Sequence, residues 1–199
     1  GEDTRPAERV EIGRRIARAV DEVLPAASPD LRHAVVFRHR VARLELPSRM
    51  ITESELERAR EVVATSTAKL AVCDQDPAGR EYSGSYLLAR RFQNVVDRYE
   101  AQRTATTLPV EVHVIRLGDV AFATNRFEYF LDYGVRIKAR SRAIQTFVVQ
   151  LAGEGGYLPT ERALKAKSYG AGIENSMVTP EGGQMLADES IRLVNALFD

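Results

Sequence analysis

The apolar positions of the chain change period several times, and each change marks an element. Near the start, Ile12, Ile16, Ala19, Val20 and Val23 recur at helical spacing, while Arg14, Arg15 and Arg18 fall largely on other faces. This predicts a helix over residues 6–24 with the apolar stripe inward, stopped by Pro25 and the Ala-Ala-Ser-Pro that follows. Residues 33–46 alternate with period two, first through Val35, Phe37 and His39 and later through Ala42, Leu44 and Leu46. The change of phase near residues 39–41 predicts a bulge or two strand segments, and Pro47 ends the run. Thr52-Glu53-Ser54-Glu55 has the form of a capping box, in which the threonine hydroxyl accepts from the third amide and the glutamate reaches back. The helix it opens turns Leu56, Ala59, Val62 and Val63 inward. Residues 69–76 fit more than one element, and Asp76-Pro77-Ala78-Gly79 predicts a loop.

Ser83 or Ser85 is placed to cap the next helix, with Leu87, Leu88, Phe92, Val95, Val96 and Tyr99 as its apolar stripe. Residues 110–117 alternate strongly, Gly118-Asp119 turns the chain, and residues 120–123 continue as a strand, a hairpin signal. A helix is expected over residues 127–140. The strand expected over residues 143–152 has Phe147-Val148-Val149 buried on both faces. Thr160 opens a single helical turn. Thr179-Pro180-Glu181 starts the last helix with a cap, a first-turn proline and an early acid, and Leu186, Ile191, Val194 and Leu197 face inward. Interleaved strands and helices place the chain in the α/β or mixed α+β class, with a mixed sheet flanked by helices in one compact domain over residues 1–199.

Composition narrows the function. The chain has 199 residues, with 28 basic and 28 acidic side chains, so no broad charge points to nucleic acid or an anionic membrane. No apolar run approaches the roughly 18 residues of a membrane span. The single cysteine, Cys73, excludes an internal disulfide and reads as a small buried residue. Gly1 stands where a methionine would begin a natural chain, which leads us to expect residues upstream. Candidate chemistry is sparse. His33, His39 and His113 show no paired spacing, no Gly-x-Ser-x-Gly marks a nucleophile, and Gly153-Glu154-Gly155-Gly156 does not lead into a long helix as a phosphate loop would. From the residues alone, Glu128 is an acid at a helix start and Tyr157 a tyrosine packed at a strand end.

Residues 108–170 carry a more specific pattern. Arg116-Leu117-Gly118-Asp119 lies in the hairpin, and Glu128 follows in a loop ahead of Gly134-Val135-Arg136-Ile137-Lys138. The next strand ends in Gly156-Tyr157-Leu158-Pro159-Thr160, and Tyr169-Gly170 comes after. In order and local spacing this resembles the neutral/alkaline ceramidase family, over roughly the last half of the chain. The resemblance implies the C-terminal part of a catalytic domain that hydrolyses an N-acyl amide with a zinc-activated water. It places Glu128 and Tyr157 as metal ligands and Tyr169 as the catalytic group that holds the amide carbonyl as charge develops on it. It further implies zinc in the full-length protein, the N-terminal half of the same polypeptide as partner, and an N-acyl lipid as substrate.

Two departures set the alternatives. The family keeps a glycine or proline beside its glutamate, where Phe127 stands here, a bulk expected to displace the carboxylate or block the metal. The family's two histidine ligands have no counterpart, and Glu128 with Tyr157 are too few ligands for tight zinc binding. Three readings follow: half of a ceramidase-like hydrolase that is inactive alone, a degenerate domain that kept the fold and lost the chemistry, or a domain binding a small polar ligand without metal. The last has no positive feature in the sequence.

Overall fold

The structure is a computed structural model that describes residues 5–73 and 79–199. Residues 76–78 of the expected loop lie outside these. The chain divides into two units, residues 1–36 and 37–199. In the first, α1 (Arg5–Ala27) leads into a 3-10 turn at Ser28–Asp30. Pro25 lies inside α1 instead of ending it. A proline this close to the C-terminus removes a single backbone donor, too little to stop the last turn. Ile12, Ile16, Val20 and Val23, expected inward, are 57–63% exposed.

The second unit is built on a four-stranded sheet in the order β1-β2-β3-β5: β1 (Phe37–Pro47), β2 (Thr107–Leu117), β3 (Val120–Thr124) and β5 (Gln145–Val149). β1 and β2 pair antiparallel without interruption from Phe37↔Leu117 to Pro47↔Thr107. The expected bulge is therefore absent, and the strand begins at residue 37 instead of 33. Both faces of β1 carry apolar residues. Ala42, Leu44 and Leu46 turn toward the core, while Phe37 and Val41 stand on the outer face, 66% and 46% exposed. Two apolar faces read in sequence as a change of phase. β2 and β3 form the expected hairpin, with Gly118 at φ +62° in a two-residue turn. β5 adds parallel to β3 as an edge strand. Its Thr146 is buried, but Phe147 and Val149 are exposed on the outer face, where Phe147 stacks on Phe122 with ring centroids 5.1 Å apart. Burial on both faces, expected for this strand, is not found because no second layer of this unit covers it.

The inner face is covered by α4 (Leu131–Arg140) and α6 (Pro180–Asn195), and the short α5 (Glu161–Lys165) lies between them in sequence. Tyr133, Ile137, Leu186, Leu193, Val194 and Leu197 pack there against Leu46, Val110, Val112, Val114, Ala121 and Ala123. The Thr179 hydroxyl caps α6 by accepting from the Gly182 amide at 3.3 Å, as the sequence predicts.

A helical hairpin is inserted between β1 and β2. Its helices, α2 (Glu53–Cys73) and α3 (Arg80–Ala101), are each about 30 Å long at 1.5 Å per residue. The capping box forms: the Glu55 amide donates to the Thr52 hydroxyl, and the Thr52 amide donates to the Glu55 carboxylate. Gly79, not a serine, occupies the N-cap of α3, and Ser85 is buried within the helix. Ile51, Ala59, Phe92, Val95 and Ile173 make a second core, whereas Leu87 and Leu88 lie beyond it and are about half exposed. Cys73 closes α2, half-buried and unbridged.

The segment after β3 departs most from expectation. Residues 127–130 are not helical. β4 (Glu128–Tyr129) pairs parallel with β6 (Tyr157–Leu158), and α4 starts only at Leu131. The backbone groups find partners across the chain: Phe127 N–H donates to the Asn125 side chain, Glu128 N–H to the Gly156 carbonyl and Phe130 N–H to the Leu158 carbonyl. Alternation in this short strand sends Phe127 and Tyr129 into the core and leaves Glu128 half-buried on the other side. Phe127, expected to displace the glutamate or block a metal, instead has no exposed surface. Because Phe127 fills core volume, Phe127→Ala is expected to destabilise the chain by about 3–5 kcal/mol in urea unfolding followed by circular dichroism.

Candidate functional site

The three residues singled out in the sequence meet. Parallel pairing of β4 with β6 sets Glu128 beside Tyr157 in register. The Tyr157 phenol hydrogen-bonds to the Glu128 carboxylate, and this bond is the main reason its pKa is raised above the ordinary phenol value. Loss of solvation and the nearby carboxylate charge push the same way. Tyr169 lies in a 3-10 turn (Tyr169–Ala171), and its ring meets Tyr157 edge-on with centroids 5.8 Å apart. Phe130 approaches Tyr157 edge-on from another side at 6.4 Å.

Two glycines make this convergence possible. A Cβ at Gly170 would lie 2.7 Å from the Tyr157 ring and 2.9 Å from Phe130, so only glycine lets the Tyr169 turn close on the pair. A Cβ at Gly156 would collide with the Asn175 carbonyl oxygen. That carbonyl accepts from the Tyr157 amide, and the Asn175 side chain donates to the Tyr169 carbonyl at 2.8 Å. Residue 175 thus joins the two tyrosines through its backbone and its amide.

The sequence reading missed the cation in this cluster. Arg91, from the exposed face of α3, donates to the Tyr169 phenol oxygen at 2.9 Å. The phenol accepts that bond and keeps its own hydrogen free to donate. No local signal marks Arg91, because it reaches the site only through the docking of α3 on residues 169–176.

That docking adds charged hydrogen bonds to the apolar contact of Ile173 with Phe92 and Val95. Arg98 donates to the carbonyls of Ile173, Ser176 and Arg49. Burial, with the positive charge of Arg49 as the second cause, pushes its pKa down to about 10, so it stays cationic at neutral pH. Arg49 donates to the Ala171 carbonyl and to the Ser176 hydroxyl and lies 3.7 Å from Glu55. It lines a cavity of about 430 Å³ with Glu55, Phe92 and Glu174, and its donors there are already used in fixing the loop.

His39 and His113, unpaired in sequence, stack on the outer face of the sheet with ring centroids 5.2 Å apart, and His113 also bonds to Glu111 at 2.9 Å. Among the described residues no group of three or more His, Cys, Asp or Glu side chains is placed to hold a metal ion. None of the described helices is long and apolar enough to cross a membrane.

No protein-family model and no curated protein matches the chain. Two solved structures match in part. One is a "Ceramidase complexed with C2", 17% identical over 47% of this chain, with a TM-score of 0.39. The other is the neutral ceramidase from Pseudomonas aeruginosa, 18% identical over 46% of this chain, also at 0.39. The chain spans 15% of the length of each. Its structural neighbours are therefore neutral ceramidases at low identity and partial coverage.

The Glu128–Tyr157 bond has a measurable consequence. A raised phenol pKa favours the folded state at neutral pH, and the advantage is lost as pH rises through the folded value. Spectrophotometric titration of the seven tyrosines is expected to show four, Tyr99, Tyr129, Tyr133 and Tyr157, titrating above the ordinary phenol value of about 10. Glu128→Ala brings the Tyr157 titration down and leaves the other three high, and Tyr157→Phe removes one of the four.

Proposed function

We propose that the chain forms the C-terminal half of the catalytic domain of a ceramidase-like, zinc-dependent N-acyl amide hydrolase, inactive on its own. The observation that carries this reading is the convergence of Glu128, Tyr157 and Tyr169, from three separate segments, into one cluster of oxygen side chains. A carboxylate and a phenol are both oxygen donors, and together they fit half of a four-ligand zinc set. The other half falls to histidines in the N-terminal half of the same polypeptide, the partner this reading requires.

When bound, zinc supplies an activated water and polarises the scissile carbonyl. The chain's own residues do the rest. Glu128 accepts a hydrogen bond from the Tyr157 phenol, and these two oxygens would be the ones to hold the metal. Tyr169 donates its free phenol hydrogen to the carbonyl oxygen as charge builds on it, as an oxyanion donor does. Arg91 positions that phenol from behind.

The alternative is a non-catalytic domain with a binding or structural role. Its argument was the bulk of Phe127 beside the glutamate. That side chain is buried in the core and Glu128 is half-buried, which weakens this argument and leaves the absent histidine ligands as the one that favours the alternative.

Metal analysis of the full-length gene product decides between the readings. One zinc per chain is expected, lost in Glu128→Ala and weakened in Tyr157→Phe, together with amidase activity on an N-acyl lipid. Full-length protein free of zinc, or zinc retained in Glu128→Ala, overturns the hydrolase reading.

A further inference from the structure

Beside the tyrosine cluster lies a second cavity, of about 370 Å³, walled on one side by α3 and on the other by residues 174–177. We infer that it binds a small carboxylate bearing a short apolar tail. The α3 wall is Leu87, Arg90, Arg91 and Asn94. Their spacing of three, four and seven residues puts them on one helix face, distinct from the face that buries Phe92 and Val95. The opposite wall is Gly156, Glu174, Asn175 and Met177.

The charge in this cavity is positive where it is free. Among the described residues Arg90 has no hydrogen-bond or ion-pair partner. Arg91 uses one guanidinium nitrogen on Tyr169, which leaves most of its five N–H donors. The one carboxylate, Glu174, is already engaged: it accepts from the Asn175 amide at 3.3 Å and faces the charge of Arg49, whose cavity it also lines. Two guanidiniums lining one cavity suit a carboxylate, since each offers planar donor pairs that can give it two parallel N–H bonds. Leu87, 51% exposed, and the half-buried Met177 supply apolar surface that a bare hydrated anion would leave in contact with water. A carboxylate with several methylene groups satisfies both walls.

This inference does not rest on the zinc reading, and its test is run with chelator present so that the two fail separately. The probe is hexanoate, titrated calorimetrically into the 199-residue chain, with amide chemical shifts to locate it. Saturable one-to-one binding is expected, with shifts in α3 and residues 174–177. Acetate should bind at least tenfold more weakly, and hexylammonium should not bind.

Arg90→Gln removes an exposed charge without touching either core, and it is expected to weaken hexanoate by roughly 10- to 100-fold, the range of a charged hydrogen bond in a site. Arg90→Lys should recover part of that loss. Leu87→Ser should narrow the gap between hexanoate and acetate. Absence of saturable binding, hexanoate affinity unchanged in Arg90→Gln, or inorganic phosphate displacing hexanoate at equal concentration would each overturn the proposal.

Discussion

Arg98 is the side chain on which the candidate site depends. Residues 169–176 contain no long element of their own, and their carbonyls would otherwise point to solvent. Arg98 gathers two of these carbonyls, from Ile173 and Ser176, and adds that of Arg49 from the start of the helical hairpin. Desolvating a guanidinium is costly, and the cost is offset only when its donors are satisfied, as they are here by backbone dipoles instead of a carboxylate. The second guanidinium, Arg49, works beside it on Ala171 and Ser176. The two like charges raise the cost of this arrangement, and Glu55 and Glu174 reduce it. This clamp works with Asn175 and the Ile173 side chain to hold Tyr169 against Tyr157 and to bring Arg91 to Tyr169.

The second constraint is backbone approach. β4 and β6 are two residues each, too short to be stable as an isolated pair. They hold because each is paired again: Tyr157 bridges to Ser176 on its far side, and the Leu151 amide donates to the Phe127 carbonyl. Gly156 and Gly170 permit the close contacts. The site is therefore set by main-chain hydrogen bonds anchored to the core through Phe127, Tyr129 and Leu158. On this frame the Tyr157 ring is steadied by edge-on contacts with Phe130 and Tyr169, while the Glu128 carboxylate and the phenol oxygens carry the polar contacts.

What the sequence showed and what it hid follow from the range of the interactions. The Thr52–Glu55 capping box, the Gly118 turn and the Thr160 and Thr179 caps are decided within four residues, and all of them form. Glu128 looked like a helix-start acid because Leu131 to Arg140 is helical and an acid ahead of a helix is common. Its backbone is instead committed to Gly156, 28 positions away, which no local pattern reports. Phe127 read as an obstruction because a sequence does not say which way a strand residue faces. One residue of register sends it into the core and Glu128 out. The mixed α/β class was legible from the interleaved periods, and the residues of the candidate site from a motif pattern. Arg91 was not legible, because only the tertiary position of α3 connects it to residue 169.

Arg91 also joins the tyrosine cluster to the neighbouring cavity. It belongs to the tyrosine cluster through Tyr169 and to the neighbouring cavity through its remaining donors. An anion drawn to Arg90 and Arg91 would compete for the guanidinium that holds the Tyr169 phenol, or would share it. In the first case the phenol of Tyr169, a residue 64% exposed, loses its bond to Arg91. In the second the anion's charge is felt by a phenol whose hydrogen is free. Either way occupancy of the cavity and the state of Tyr169 are linked through one side chain. Thermodynamic reciprocity then requires that whatever engages the Tyr169 phenol changes the cavity's affinity by the same factor.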